Sequence, residues 1–195
     1  MARVHEADRI GREQSIPVLS KVLVPAGEGL ARLRKRQLPE AISLLERGIE
    51  GWRATGGHLN LPYLKSALAE ALSRQGDVET GLRLLDECLD QIERPGWHER
   101  VWLAEILRLK GWVLMRQGRR TEAETQLRAS IQCARRQQAK SWELRSSKTL
   151  AELLIERGQR DAARQLLAPI YGWFTEGFDT LDLKEAKALL AGLTT

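Results

Sequence analysis

The stretch LRLKGWVLMRQGRRTEAETQL, residues 107–127, decides the fold because its pattern is that of two helices joined by a tight turn. Apolar residues recur at helical spacing on both sides of Gly118–Arg119, and a glycine there supplies the left-handed residue that ends a helix. Gly111 and Ala123 lie twelve residues apart, and Leu127 follows four residues later. Antiparallel helices approach closely only where small side chains face each other, and a leucine one turn along fills the space above. The stretch therefore predicts a helical hairpin.

The same three landmarks recur along the chain at intervals of about 40 residues. A fixed period of this length is the signature of a repeat architecture, in which each hairpin covers the apolar face of the next. We expect four units, at about 21–57, 58–96, 97–138 and 139–178. The turn inside the first unit is expected at Gln37–Pro39. The four sets of landmarks are Gly29, Ala41 and Leu45; Ala69, Gly81 and Leu85; Gly111, Ala123 and Leu127; and Ala151, Ala163 and Leu167.

The two ends of the chain depart from the repeat. Residues 1–20 lack a helical period, so we expect a partly ordered lead-in or a short helix there. Residues 179–192 predict a helix that caps the open end of the stack, with Asp179 and Asp182 at its start. The aromatic residues just before it are expected to seat this helix, although an aromatic ligand site stays open; they are Tyr171, Trp173, Phe174 and Phe178. The fold class is therefore all-α, a right-handed superhelix of about four antiparallel hairpins with a C-terminal capping helix.

These landmarks, together with the RQGRRTEAE turn at residues 116–124, resemble the tetratricopeptide repeat family. The resemblance implies a helical-hairpin solenoid that binds other proteins. Leucines at 107 and 114 replace the first-helix tryptophan and tyrosine of the family, and the terminal proline is missing. The period near 40 also exceeds the usual 34 residues.

A second resemblance covers residues 60–192, including LLAPIYGWFTEGFDTLDLKEAKALL at 166–190. This region is similar to the C-terminal repeat region of bacterial nucleotidyl-cyclase-like and NTPase-containing signalling proteins. The chain contains no phosphate-binding loop of the Gly-x-x-x-x-Gly-Lys-Ser/Thr type. The resemblance therefore implies the scaffold or sensor part of such a system, with a cyclase or NTPase domain as a candidate partner.

Composition limits the function classes. The 195 residues include 31 Lys plus Arg and 26 Asp plus Glu, a net charge of +5 that we expect to be spread along the whole chain. Acidic residues interleave with the basic clusters, so we do not expect nucleic acid as the partner. No apolar run is long enough for a membrane span, and no secretion signal is present, which predicts a cytoplasmic protein without membrane contact.

The residues that usually carry catalysis or bind metals are scattered. His5, His58 and His98 show no metal-ligand spacing, since the position that would complete a His-Glu-x-x-His motif is Trp102. Cys88 and Cys133 lie on or beside apolar helical stripes, which is typical of buried thiols. The sequence therefore predicts no catalytic residue, no metal site and no cofactor, and the protein is not expected to be an enzyme.

The predicted function is that of a non-catalytic interaction scaffold or regulatory module in bacterial signalling. It would bind a protein or peptide segment in a concave groove made by the first helices of the hairpins. Basic groove residues favour an acidic segment, and Trp112 is the preferred contact, with packing between first helices as its alternative role. A sensory domain that binds a small ligand and regulates a cyclase or NTPase partner is the alternative function, and a homo-oligomer stays open. The groove residues are Tyr63, Ser66, Glu70, Glu105, Arg108, Trp112, Arg145, Lys148 and Glu152.

Overall fold

The computed structural model describes residues 2–97 and 99–193, and within these ranges it contains helices and no strand. The predicted all-α fold is confirmed. A π-helical turn, Leu19–Leu23, precedes α2. The α-helices are α1 (Ala2–Glu13), α2 (Val24–Arg34), α3 (Leu38–Thr55), α4 (Leu61–Gln75), α5 (Val78–Glu93), α6 (Leu103–Arg116), α7 (Arg120–Arg136), α8 (Lys140–Glu156), α9 (Arg160–Tyr171) and α10 (Leu181–Gly192).

The chain divides into two compact units, unit 1 at Met1–Arg100 and unit 2 at Val101–Thr195. Unit 1 contains the hairpins α2–α3 and α4–α5, and unit 2 contains the hairpins α6–α7 and α8–α9. Basic and acidic side chains are equal in number in residues 1–100. The whole excess of five positive charges therefore belongs to unit 2, and the expectation of an even spread along the chain is wrong.

The small-residue landmarks are the points of closest approach within the hairpins. All twelve landmark residues are buried. An added Cβ at Gly111 would lie 2.6 Å from Leu127 Cγ and 3.1 Å from the carbonyl oxygen of Ala123. An added Cβ at Gly29 would lie 2.9 Å from Leu45 Cγ. In these hairpins the two helices are therefore as close as the spacing predicts, and no side chain fits at either glycine without displacing its neighbours.

The turn inside each hairpin contains one residue with a positive φ angle. In the last three hairpins that residue is glycine, with φ of 116° at Gly76, 74° at Gly118 and 75° at Gly158. In the first hairpin the equivalent position, seven residues after Gly29, is Arg36, with φ of 59°. The left-handed residue of that turn thus lies just before the predicted Gln37–Pro39, and a side chain stands where the other hairpins have none.

Helical structure extends beyond the predicted repeats at both ends. Within the range predicted as a lead-in or short helix, residues 2–13 form α1, which packs against the π-helical turn and α2. At the other end α10 packs against α8 and α9 and buries Leu183 and Ala186. The residue that precedes α10 is Thr180, whose side chain makes no capping bond, so the predicted start at Asp179 is shifted by two residues.

The cysteines are buried and unlinked. Cys88 Sγ lies 3.4 Å from the carbonyl oxygen of Pro62, to which it donates a weak hydrogen bond. Burial raises the pKa of the Cys88 thiol to about 12, with the Lys65 ammonium opposing the change. The thiolate is the reactive form of cysteine, and a raised pKa keeps the thiol protonated at neutral pH. Cys88 therefore contributes to core packing and not to chemistry.

Gly111→Leu tests the predicted helix contact. The new side chain would be forced into Leu127 and the α7 backbone, so we expect a loss of about 1–3 kcal/mol in the free energy of unfolding. Gly192→Leu is the matched control, because a Cβ there meets nothing within 4 Å. It should change stability by no more than about 0.5 kcal/mol. Equal melting curves for the two variants in urea would contradict the contact.

Arg36→Gly tests the strained turn of the first hairpin. A left-handed conformation costs a residue with a Cβ about 1–2 kcal/mol, and glycine avoids that cost while adding flexibility to the unfolded chain. We expect a net stabilisation of about 0.5–1 kcal/mol, measured by urea unfolding. Arg34→Gly, at the exposed last residue of α2, removes the same side chain from helical backbone and should destabilise the protein instead.

Candidate functional site

The first helices of unit 2 lie side by side, with α6 packed on α8 and α8 packed on α10. Charged side chains from all three helices approach one another on this side of the unit. We call this surface the first-helix face; it comprises Glu105, Arg108 and Trp112 of α6, Arg145, Lys148 and Glu152 of α8, and Asp182 and Glu185 of α10. Five of the six residues that the sequence predicts for the groove in this unit take part in these ion pairs. Trp112 is included because it lies four residues after Arg108, on the same side of α6.

Glu105 is the centre of the first-helix face. Its two carboxylate oxygens accept hydrogen bonds from Nε and Nη2 of Arg108, both at 2.8 Å. The same carboxylate lies 2.9 Å from Nη2 of Arg145, which joins α6 to α8. Glu105 is 3% exposed and Arg108 is 8% exposed. The bidentate pair with Arg108 lies within α6, and Arg145 links it to α8. A pair this deeply buried has little surface left to offer a partner.

Two basic side chains of α8, Arg145 and Lys148, are paired with carboxylates of α10. Arg145 Nε lies 3.7 Å from Asp182 Oδ1, and Lys148 Nζ donates to Glu185 Oε2. Lys148 Nζ also lies 3.7 Å from Glu152 Oε1. Burial raises the pKa of the Glu152 carboxyl above its usual range, against the opposing effect of the Lys148 ammonium. The expectation of an acidic partner depended on these two cations being available to it. Because Asp182 and Glu185 already pair with them, the charge of α8 no longer favours an acidic partner.

Trp112 lies at the accessible edge of this face. It is partly buried, and the guanidinium carbon of Arg116 lies 5.3 Å from the centroid of its ring. A cation over a tryptophan face is favourable while leaving the rest of the ring in contact with solvent. Its intermediate exposure fits both roles that the sequence leaves open, so the assignment of Trp112 as a partner contact stays a prediction.

The predicted groove residues of unit 1 differ in accessibility. Tyr63 is partly buried and packs against the apolar core of α2–α5. Ser66 is 1% exposed, and its hydroxyl donates to the carbonyl oxygen of Tyr63 at 2.8 Å. Glu70 is partly buried and lies 2.8 Å from Arg74. Ser66, like Glu105 and Arg108, is therefore a buried residue, and its assignment as a groove contact is corrected for that reason.

Sequence reasoning missed Asp182 and Glu185. Both were assigned to a cap, yet their spacing of three residues matches that of Glu105 with Arg108 and of Arg145 with Lys148. Residues three apart lie on the same side of a helix. Treating α10 as the first helix of a further unit would have placed its two acids opposite the two cations of α8.

The part of the chain that the structure describes contains neither a cluster of metal ligands nor a membrane-spanning helix. No group of three or more His, Cys, Asp or Glu side chains within 2–97 or 99–193 could hold a metal ion. His98, which the sequence analysis weighed as a metal ligand, lies outside those ranges. None of the described helices combines the length and the apolar composition that a bilayer span needs.

Comparison with known proteins bears on the repeats directly. One family model of the tetratricopeptide repeat matches residues 62–87 and 149–169, and another matches residues 103–136. The solved structure of BtubC (BKLC) from P. vanneervenii aligns with a TM-score of 0.72 at 16% identity, covering 98% of this chain and 85% of BtubC. No curated protein matches the chain.

A second solved structure contains the nearly identical TPR-like repeats of a protein from Podosopora anserina named as a kinesin light chain. It aligns with a TM-score of 0.62 at 19% identity, covering 87% of this chain and 83% of that one. At these identities both neighbours support the fold alone. The class of protein is thus one built from repeated helical hairpins.

More specifically, the matches to three segments of the chain support a protein of the tetratricopeptide repeat type. Proteins of this family typically bind other proteins and are typically non-catalytic, so the repeats suggest a protein–protein interaction scaffold. The resemblance of residues 60–192 to the repeat region of cyclase-like signalling proteins is not confirmed by these matches and stays a prediction.

Glu105→Gln separates a structural role from a binding role. Removing this charge would leave the guanidinium groups of Arg108 and Arg145 without their shared carboxylate, so we expect a loss of about 2–3 kcal/mol in the free energy of unfolding. Glu185→Gln makes the same chemical change at a side chain that is 42% exposed. It should cost about 1 kcal/mol or less. Chemical unfolding that ranks the two variants in the opposite order would contradict the central role of Glu105.

Proposed function

We propose that this protein is a non-catalytic scaffold of bacterial signalling that binds a partner segment on the first-helix face of unit 2. The observation that carries the proposal is the set of ion pairs that joins α6, α8 and α10 along one side of the unit. Repeat proteins commonly use the side formed by successive helices as an extended binding surface. A cyclase or NTPase domain is the proposed partner, on the strength of the sequence resemblance over residues 60–192.

The accessible members of the face determine what it can recognise. Trp112, Lys148 and Glu152 are partly exposed, and Asp182 and Glu185 border them. Because cations and carboxylates alternate here, a partner segment with both charge signs would match the face better than a purely acidic one. Trp112 supplies the large apolar area on which binding energy is commonly concentrated.

The sensory alternative has its own candidate location in unit 1. A surface cavity of about 510 Å³ lies between α3, α4 and α5, with Lys65 and Glu87 3.6 Å apart at its wall. Its volume falls in the range of small-ligand sites, roughly 300–1,000 Å³. Apolar side chains contribute only Ile49, Leu68 and Leu84 to its lining, whereas ligand sites are mostly apolar. The polar lining of the cavity therefore counts against a small-ligand site and in favour of the scaffold function. A thermal-shift screen of metabolites would test the sensory alternative.

Site-specific photo-crosslinking identifies the partner. A photoreactive benzoylphenylalanine is introduced in place of Trp112, and as a control in place of Thr125, which is exposed on α7. We expect one protein to be crosslinked by the photoreactive group at position 112 and not by the group at position 125. Its identity, read by mass spectrometry, decides whether it contains a cyclase or NTPase domain. Identical products from the two positions would contradict binding on the first-helix face.

Trp112→Ala then tests the contact with the purified partner. If the ring faces the partner, the dissociation constant should rise by a factor that corresponds to at least about 1 kcal/mol, with the melting temperature nearly unchanged. If the ring is part of the core, the same change should instead cost about 3–5 kcal/mol of stability. Thr125→Ala serves as the matched control and should alter neither quantity. A large loss of stability would overturn the assignment.

A further inference from the structure

Unit 2 exposes a group of apolar side chains where α9 leads into α10. Trp173 is 57% exposed, Phe178 is 46% exposed and Leu181 is 69% exposed. Trp173 and Phe178 lie on the connection from α9 to α10, and Leu181 is the first residue of α10. We call residues 171–181 the aromatic loop. Two edge-to-face ring pairs build it, Trp173 with Phe174 at 5.2 Å and Tyr171 with Phe178 at 6.0 Å between centroids. The sequence analysis expected these rings to be covered by the final helix, and the structure leaves Trp173 and Phe178 substantially open.

The backbone of the aromatic loop is held by its own hydrogen bonds. The amide and the hydroxyl of Thr180 both donate to the carbonyl oxygen of Gly177, at 2.9 and 2.7 Å. Gly177 itself adopts the left-handed conformation, with φ of 75°. The amide of Trp173 donates to Ile170 in the last turn of α9. A surface fixed in this way loses little conformational entropy when a ligand binds, which favours recognition.

The charge of the aromatic loop is opposite to that of its unit. Residues 171–181 contain Glu176 and Asp179 and no lysine or arginine, whereas unit 2 as a whole carries the entire positive excess of the chain. The last turn of α9, whose carbonyl groups give a partial negative charge, also lacks a basic residue. The formal charge of the loop residues themselves is therefore negative, on a unit whose net charge is positive.

One cation of the chain itself contacts a ring of the aromatic loop. Lys140, at the first turn of α8, places its ammonium 5.7 Å from the ring centroid of Trp173. A tryptophan face attracts cations through its ring quadrupole. The exposed rings favour an apolar side chain, and the neighbouring carboxylates favour a positive charge. The contact of Trp173 with Lys140 shows that the ring accepts a cation. A ligand with a positive charge next to an apolar side chain therefore fits this surface.

We propose that the aromatic loop is a second docking surface, which binds an extended segment of a partner protein in which arginine or lysine alternates with apolar residues. The apolar side chains would pack on Trp173 and Phe178, and the cations would approach Glu176 and Asp179. This surface is separate in residues from the contacts proposed for the first-helix face, so each of the two can fail independently.

Fluorescence anisotropy with short labelled peptides tests the proposal on the full-length protein. The probe is a hexapeptide of alternating arginine and leucine, blocked at both ends, with glutamate–leucine and serine–leucine peptides for comparison. We expect the arginine–leucine peptide to bind most tightly and its affinity to fall as salt is raised. Trp173→Ala should weaken its binding by about fivefold or more. The double variant Glu176→Gln with Asp179→Asn should also weaken binding and flatten the salt dependence.

Matched control variants remove an apolar side chain and two carboxylates from unit 1, outside the aromatic loop. Leu59→Ala deletes an apolar side chain of unit 1 that is 63% exposed, and Glu46→Gln with Glu93→Gln removes two exposed carboxylates of that unit. Neither control should change peptide affinity. Absence of binding by the arginine–leucine peptide, equal binding of the glutamate–leucine peptide, or equal effects of test and control variants would overturn the proposal. A dimer in sedimentation that Trp173→Ala dissociates would also overturn it, since the occupant would then be a second copy of this chain.

Discussion

The close approach of two helices at a small residue is the constraint on which each hairpin depends. At Gly111 an added Cβ would lie within 2.6 Å of Leu127, so the distance between α6 and α7 is set by the absence of a side chain. The same contact recurs at Gly29 in α2–α3. In α4–α5 an added Cβ at Gly81 would lie 2.9 Å from the carbonyl oxygen of Ala69. This spacing brings the leucine one turn along into the core, where Leu45, Leu85 and Leu127 are fully buried. Side-chain positions on the first helices therefore follow from these contacts.

The first-helix face shows why charge alone misleads about function. Its cations are paired inside unit 2, to Glu105 within the buried pair and to Asp182 and Glu185 on α10. A partner that binds there has to exchange one set of ion pairs for another, and such an exchange yields little net free energy. Affinity at this face would then come mainly from apolar area such as that of Trp112, while the charges would fix orientation and exclude mismatched partners.

The sequence allowed the hairpins to be predicted because their determinants are local. Twelve-residue spacing, glycine at a turn and a leucine one turn later all act within a single hairpin, and the landmarks are buried as expected. Burial of Ser66, Glu105 and Arg108 depends instead on what packs against the first helix from outside its own hairpin. Arg36 escaped prediction for a different reason, because turn chemistry signals the left-handed conformation through glycine, and here an arginine adopts it. The side of the first helices on which these residues lie was thus predictable, and the accessibility of each side chain was not.

The two surfaces of unit 2 differ in how far their charged side chains are already paired within the unit. On the first-helix face the acids of α10 compensate α8, and the centre of the network is buried. Around the aromatic loop the fold places carboxylates beside exposed rings, on the unit that carries the positive excess. Long-range attraction of a basic segment to unit 2 is opposed by the net charge, so such a segment would gain its binding energy only at short range, within about a Debye length of the rings. This restricts recognition at the loop to segments whose apolar side chains reach Trp173 and Phe178, because only then do their cations come close to Glu176 and Asp179.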